Sequence, residues 1–246
     1  MAIDAHKYPL LAAAQDRLIE SGQRYFANDN IHPVFEYLDN MALPMPVGAQ
    51  TLEQMKEAVQ EKYGELLELL LIDWAADHNS EGTPRRVAKM LVEETYKGRY
   101  QPTPKITAFP NDSKRTQMIV IGPLRVESQC SHHHQNIRGW AWVGVMPSED
   151  GTLIGLSKFS RLLDHICRRP QIQEEMVAQV CHQLNDLVKD NLGVAVVINA
   201  EHQCMAVRGV QEPCAQTVTS EMLGAFLEPG VRQEFLTYVQ MNPAPC

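Results

Sequence analysis

Residues 117–147 read QMIVIGPLRVESQCSHHHQNIRGWAWVGVMP. Two stretches within it, 117–130 and 137–147, are rich in β-branched and aromatic residues and partly alternate in polarity. That texture suits a half-buried pleated surface, so they predict two strands of one sheet. Downstream, SEDG at 148–151 predicts a turn. A helical pattern opens at Ser157 and runs to about Arg169, where Arg169-Pro170-Gln171 breaks it. A second helix is predicted from Gln173 to about Asn191, ended by Gly193. VAVVINA at 194–200 reads as a strong strand, and residues 203–209 are predicted as its antiparallel partner. A last helix is expected at 229–240. The order strand, strand, helix, helix, strand, strand makes the part from 102 to 246 an α+β domain.

The part before it, 1–101, reads helical. Apolar positions recur at helical spacing over 9–26. Pro33, Pro44, Pro46 and Gly48 make 32–51 an extended connector. A longer helix is predicted over 52–76, with Leu67, Leu70 and Leu71 on its apolar face. Thr83 then suits an N-cap, Pro84 the first helical position and Gly98 the stop, which predicts a helix over 84–97.

Composition narrows the function. The chain has 246 residues, 44% of them hydrophobic, enough for one large domain or a domain with an extension. Lysine and arginine number 22 against 30 aspartates and glutamates, a net charge of −8. That balance argues against general nucleic-acid binding, which needs a basic field. The start MAIDAHKYPL lacks a basic segment followed by an apolar run, and no apolar stretch reaches membrane-spanning length. The expectation is a cytoplasmic protein with no membrane partner. The six cysteines then read as reduced thiols. Cys167 and Cys181 lie in helical patterns, and Cys246 is a free terminal thiol.

Five short patterns carry chemistry. In ESQCSHHHQ, Cys130 and His133 are three apart, a separation suited to a thiolate and an imidazole on one metal. EHQCMAVRG offers His202 and Cys204 as candidates for a third ligand, two apart on the predicted strand and therefore on one face. Two thiolates and an imidazole with a fourth position open describe a catalytic zinc site rather than a closed structural one. Ser157, Lys158 and Arg161 open a helix, where free N–H groups and the helix dipole favour an anion. Gln173 and Glu174 begin the next helix, and a carboxylate there matches the N1–H and exocyclic amine of guanine. Arg208 follows Cys204 by four residues, and Arg86 and Lys89 share a helix face. Singly, each pattern is more often a capped helix or a solvated charge.

Together, and in this order, they resemble GTP cyclohydrolase I. The resemblance runs from about Leu66 to Val239 and rests on Cys130-Ser131-His132-His133, on Gly155 to Arg161, on Arg169 to Glu174 and on His202 to Gly209. It implies a T-fold, an antiparallel sheet with two helices packed on it, assembled into a homodecameric ring with active sites at subunit interfaces. It implies conversion of GTP and water to 7,8-dihydroneopterin triphosphate and formate, a step in pterin, tetrahydrofolate or 7-deazaguanine biosynthesis. One zinc ion per subunit would be held by Cys130, His133 and Cys204. His132 and His202 would be acid/base groups, and Gln173 would join them and, with Glu174, help hold guanine. Ser157, Lys158, Arg161 and Arg208 would hold the triphosphate, and Arg86 and Lys89 would reach a neighbouring subunit's site. Ser131 stands where the family has glutamate, and His134 where an apolar residue is commoner. The competing expectation is a zinc-containing GTP-binding regulatory or assembly protein whose turnover is impaired by Ser131.

Overall fold

A computed structural model describes residues 3–20, 42 and 44–245. The described residues fall into two compact units, one of residues 3–20 and 44–102, the other of residue 42 and residues 103–245. The predicted continuation of the first helix to 26, most of the connector and the thiol of Cys246 lie outside the described residues.

In the first unit, α1 (Pro9–Glu20) packs on α2 (Ala49–Leu69) through Tyr8, Leu11 and Met55, with Val92 joining from the segment that follows. The predicted helix to 76 stops at Leu69. Leu71 turns into the left-handed region at φ 61°. Its N–H bonds Glu68 O, and that of Ile72 bonds Leu67 O. This closing motif usually uses glycine, so the sequence carries no stop signal there. Leu67 is buried as predicted, but Leu70 and Leu71 are left exposed. The helix predicted over 84–97 is broken too. Thr83–Lys89 is α3, with Gly82 rather than Thr83 at the cap. A π-helical turn follows over Met90–Thr95, with Tyr96 N–H reaching back to Leu91 O, and then a short α4 (Lys97–Tyr100). Gly98 is buried inside α4 instead of ending a longer helix.

The second unit is built on one sheet. Its strands are β2 (Ile119–Cys130), β3 (Asn136–Met146), β5 (Pro170–Gln171), β6 (Gly193–His202) and β7 (Thr217–Gly224), in the order β5-β2-β3-β6-β7. All neighbours are antiparallel except β5, which runs parallel to β2. A separate small pair joins β1 (Ala108–Pro110) to β4 (Thr152–Ile154). The partner of β6 is therefore 217–224, and the strand predicted at 203–209 is instead the short helix α7 (Gln203–Ala206) and a loop. The β-branched run Thr217-Val218-Thr219 was the available signal for the true strand.

Two helices cover one face of the sheet. On α5 (Leu156–Cys167) the buried apolar positions are Phe159, Leu162, Leu163, Ile166 and Cys167. On α6 (Gln173–Leu187) they include Gln173, Met176, Val177, Val180, Cys181 and Leu184. Both sets recur at three- and four-residue steps and form one apolar stripe per helix. They pack on Ile137, Ala141, Val143 and Val145 of β3 and on Val194, Val196, Ile198 and Ala200 of β6. The other face carries Trp142, Ala195 and Val197 under Phe226 and Phe235, the latter on α8 (Pro229–Met241). Covering on both faces is why β6 is a continuous apolar run rather than an alternating one. Cys167 and Cys181 are core residues, each thiol pushed up to about 12 by burial. Among the described residues no helix is long and apolar enough to cross a membrane.

Gly224 ends β7 at φ 60°, and a Cβ there would lie 2.2 Å from Leu192 O. Gly224→Ala is therefore expected to destabilise the second unit by roughly 2–3 kcal/mol, from left-handed strain plus the clash. Denaturant unfolding of the variant against the parent measures this, and equal stabilities would contradict the geometry.

Candidate active site

The register of β3 on β6 decides which loops meet. Ile137 pairs with His202 at one end of the sheet, so residues 130–136 lie beside residues 201–208. The turn leaving β2 is closed by Cys130 N–H on Gln135 O and by His134 N–H on Cys130 O, both at 2.9 Å. His134 takes the left-handed conformation, φ 52°, that this tight turn requires. His132, His133 and His134 are thereby exposed, while Cys130 is buried.

Cys130 and Cys204, far apart in sequence, are neighbours, with Cys204 packed against the core cluster that holds Cys130. Burial pushes the Cys204 thiol up, the Cys130 contact adds to this, and the Arg208 guanidinium opposes both. His133 Nε2 lies 2.8 Å from Arg208 Nη1. A guanidinium only donates, so in this contact the His133 nitrogen is the acceptor. The His132 ring stands edge-to-face with it at 6.4 Å. Among the described residues no three His, Cys, Asp or Glu side chains converge as a set that could hold a metal. Of the three expected ligands, the structure brings Cys130 and Cys204 together and pairs His133 with Arg208. Ser131 is buried, and its hydroxyl has no hydrogen-bond partner among the described residues.

Gln173 and His202 form a second, coupled pair. Gln173 occupies a core position of the α6 stripe and is fully buried. Its Nε2 donates to Ile198 O at 3.2 Å, Thr217 O at 2.9 Å and Thr219 Oγ1 at 3.1 Å. Two of these are carbonyl oxygens, so the amide can point only one way. Its Oε1 then faces His202 Nε2 at 2.8 Å. That contact requires a proton on Nε2 and leaves the Nδ1 lone pair of His202 free. Burial pulls the His202 pKa below 6.5, and the nearby Glu174 carboxylate pulls it back up. Glu174 itself is exposed at the start of α6. Gln173 thus has every polar atom engaged inside the protein, which makes it a support for His202. A polar residue at an apolar-stripe position was the sequence signal for this role.

Ser157, Lys158 and Arg161 lie elsewhere. Ser157 and Arg161 are exposed and Lys158 half-buried on the first turns of α5. Gly155, Leu156 and Phe159 line a small cavity with Ile119 and Val145. The register places Ile119 and Val145 at the end of the sheet opposite Gln129, Ile137 and His202. Nine residues of β3 separate the two ends, about 30 Å. Arg86 and Lys89 are exposed on α3, in the other unit. The structure thus gathers Cys130, Cys204, His133, Arg208, His132, Gln173, Glu174 and His202 near one end and leaves the Ser157, Lys158 and Arg161 group at the other. Sequence reasoning missed Thr217 and Thr219, which orient Gln173, because the strand that carries them was placed too early.

The His202 environment sets a pH dependence. A histidine whose folded pKa is lowered binds fewer protons folded than unfolded. Its contribution to stability is complete above about pH 6.5 and is lost as pH falls from there towards the folded pKa. Histidine C2 hydrogen–deuterium exchange on metal-free protein, read by mass spectrometry, is expected to place His202 below 6.5. In Glu174→Gln, which removes the opposing carboxylate, the value is expected to fall further. A wild-type value at or above 6.5 would refute the buried environment.

A sequence profile of GTP cyclohydrolase I matches residues 59–240. The protein named GTP cyclohydrolase 1 of Vibrio vulnificus is 38% identical over 195 residues, 78% of this chain and 88% of that protein. The one of Yersinia enterocolitica is 36% identical over 213 residues, 85% of this chain and 95% of that protein. In Flavobacterium johnsoniae the identity is 34% over 230 residues, 93% of this chain and 97% of the relative. The chain belongs to the GTP cyclohydrolase I family, and GTP cyclohydrolase activity goes with that membership.

Proposed function

We propose that this enzyme opens the imidazole ring of GTP by hydrolysis, releases formate and closes the product to 7,8-dihydroneopterin triphosphate, with one zinc ion per subunit. The observation that carries the reading is the meeting of Cys130 with Cys204 beside the Gln173–His202 pair. Two neighbouring thiols, with Arg208 near Cys204 and the His133 imidazole on Arg208, are a donor set suited by chemistry to a borderline-soft divalent ion. Cys130, Cys204 and His133 would hold it. Bound zinc supplies Lewis acidity and brings the pKa of water to about 7.

The chain's own groups then divide the remaining work. Guanine C8 is a poor electrophile until N7 is protonated, and His132, exposed beside the cysteine turn, gives that proton. Glu174 accepts from guanine N1–H and the exocyclic amine and orients the base. His202, with Nε2–H tied to Gln173, presents Nδ1 and moves protons during ring opening and the Amadori rearrangement of the ribose. Ser157, Lys158, Arg161 and Arg208 hold the triphosphate and position the nucleotide without taking part in bond changes.

This reading requires neighbouring subunits. Ser157, Lys158 and Arg161 stand at the far end of the sheet from His202, so one chain does not close both groups around one nucleotide. Among the described residues the sheet is also open along β7 and along β2 before Gln129, two edges at which a further strand can add. Both features support a T-fold subunit in a ring, a homodecamer, with active sites at the interfaces and Arg86 and Lys89 contributed across them. Residues 1–101 would form a helical extension and 102–246 the catalytic domain, in a cytoplasmic enzyme.

Incubating the zinc-loaded, assembled protein with GTP is expected to produce both pterin absorbance and formate. Zinc-bound, assembled protein that binds GTP without product would establish the regulatory alternative, with Ser131 as its first suspect. Cys204→Ala is expected to lose zinc. His132→Ala is expected to keep zinc and lose at least about a hundredfold in rate. Unchanged zinc content in Cys204→Ala would refute the ligand assignment.

A further inference from the structure

Behind the cysteine turn lies a closed ring of buried polar groups that the proposed chemistry does not use. Arg169 Nη1 donates to Gln179 Oε1 at 3.0 Å, and Gln179 Nε2 donates to Gln171 Oε1 at 3.0 Å. Gln171 Nε2 donates to Ser128 Oγ at 3.3 Å, and Ser128 Oγ donates to the Arg169 carbonyl oxygen at 3.1 Å. Arg169, Gln171, Gln179 and Ser128 are all buried.

The direction of the circuit is determined by chemistry. Arg169 can only donate, so Gln179 must turn its oxygen towards it and its amide nitrogen towards Gln171. Gln171 Nε2 also donates to Ile166 O at 2.7 Å, and Ser128 meets a carbonyl oxygen. Neither glutamine can flip without setting two acceptors face to face inside an apolar core, where an unmade hydrogen bond costs about 1–3 kcal/mol.

The circuit joins the elements that carry the site. Ser128 is two residues before Cys130 on β2. Gln171 pairs with Cys130 across β2 and β5, accepts from Ser131 N–H at 3.3 Å, and is two residues before Gln173. Gln179 lies on α6, the helix that Gln173 and Glu174 begin. We propose that Gln179 is a positioning residue: by closing this circuit it holds the β2–β5 junction so that Cys130 meets Cys204 and Gln173 meets His202. The inference rests on the zinc reading above and extends it to a residue remote from metal and substrate.

Gln179→Glu is the sharpest test. It preserves size and the acceptor for Arg169, but replaces the donor facing Gln171 with a second acceptor. In the assembled protein, its zinc dissociation constant, measured by chelator competition, is expected to rise by about 10- to 100-fold. At saturating zinc, kcat is expected to fall by roughly 10- to 100-fold with KM for GTP within about twofold, because misplacement affects the reacting groups and not the triphosphate clamp. Wild-type zinc affinity and kcat, with only a lower thermal midpoint, would overturn the proposal. If Gln179→Glu does not fold, Ser128→Ala, which removes only the ring-closing hydroxyl, is judged by the same two measurements. Cys204→Ala run alongside separates the two ideas. Wild-type zinc binding in that variant overturns the zinc reading, and the split between kcat and KM then decides on Gln179 alone.

Discussion

Ile137 faces His202 across β3 and β6, and the arrangement of the site depends on that register. A slip of one residue would turn His202 away from α6 and move Val194, Val196, Ile198 and Ala200 out of the core. The apolar burial on both faces of β6 therefore fixes the geometry of the candidate site as well as a fold. Ten residues of β6 pair with β3, and eight of them pair again with β7 on the other side. With the strands locked, the end of β2 and the end of β6 must lie together, and so must the cysteines that follow from them.

Polar groups in this interior work by having no freedom. Gln173 has its nitrogen committed to the sheet and its oxygen to His202, so the tautomer of His202 is set by two backbone carbonyls. The Arg169–Gln179–Gln171–Ser128 circuit follows the same logic one layer deeper. Each of these side chains would be costly to bury alone, and each is tolerated because its partners saturate it. The surface side is looser. His132 and His133 stand exposed on a tight turn, with Arg208 reaching across to His133.

Separation is as informative as proximity. The basic start of α5 and the His202 end of the sheet lie on opposite sides of a domain with two open strand edges. In the proposed enzyme, each chain would carry both halves of a nucleotide site without the ability to join them. Pairing of edges between copies, as proposed, would cover the exposed backbone groups and bring one copy's cations to another's histidines in the same event. Assembly and activity thus become one requirement in the proposed enzyme.

The sequence by itself determined the local elements wherever burial writes a period into the chain. The stripe on α5, the continuous run of β6 and the strands on either side of Cys130 were all legible, and so was the motif order that carries the family resemblance. Its failures are equally physical. Leu71 closes α2 in a left-handed turn without glycine, a π-helical turn interrupts the helix begun at Thr83, and Gln203–Ala206 coils where a strand was expected. Only the tertiary structure decided which polar residues act together. Cys130 and Cys204 are 74 positions apart, and Gln179 looks in sequence like any solvated helix residue. Hydrogen-bond direction, burial and the distance between the two ends of a sheet depend on partners from remote segments, and no local pattern encodes them.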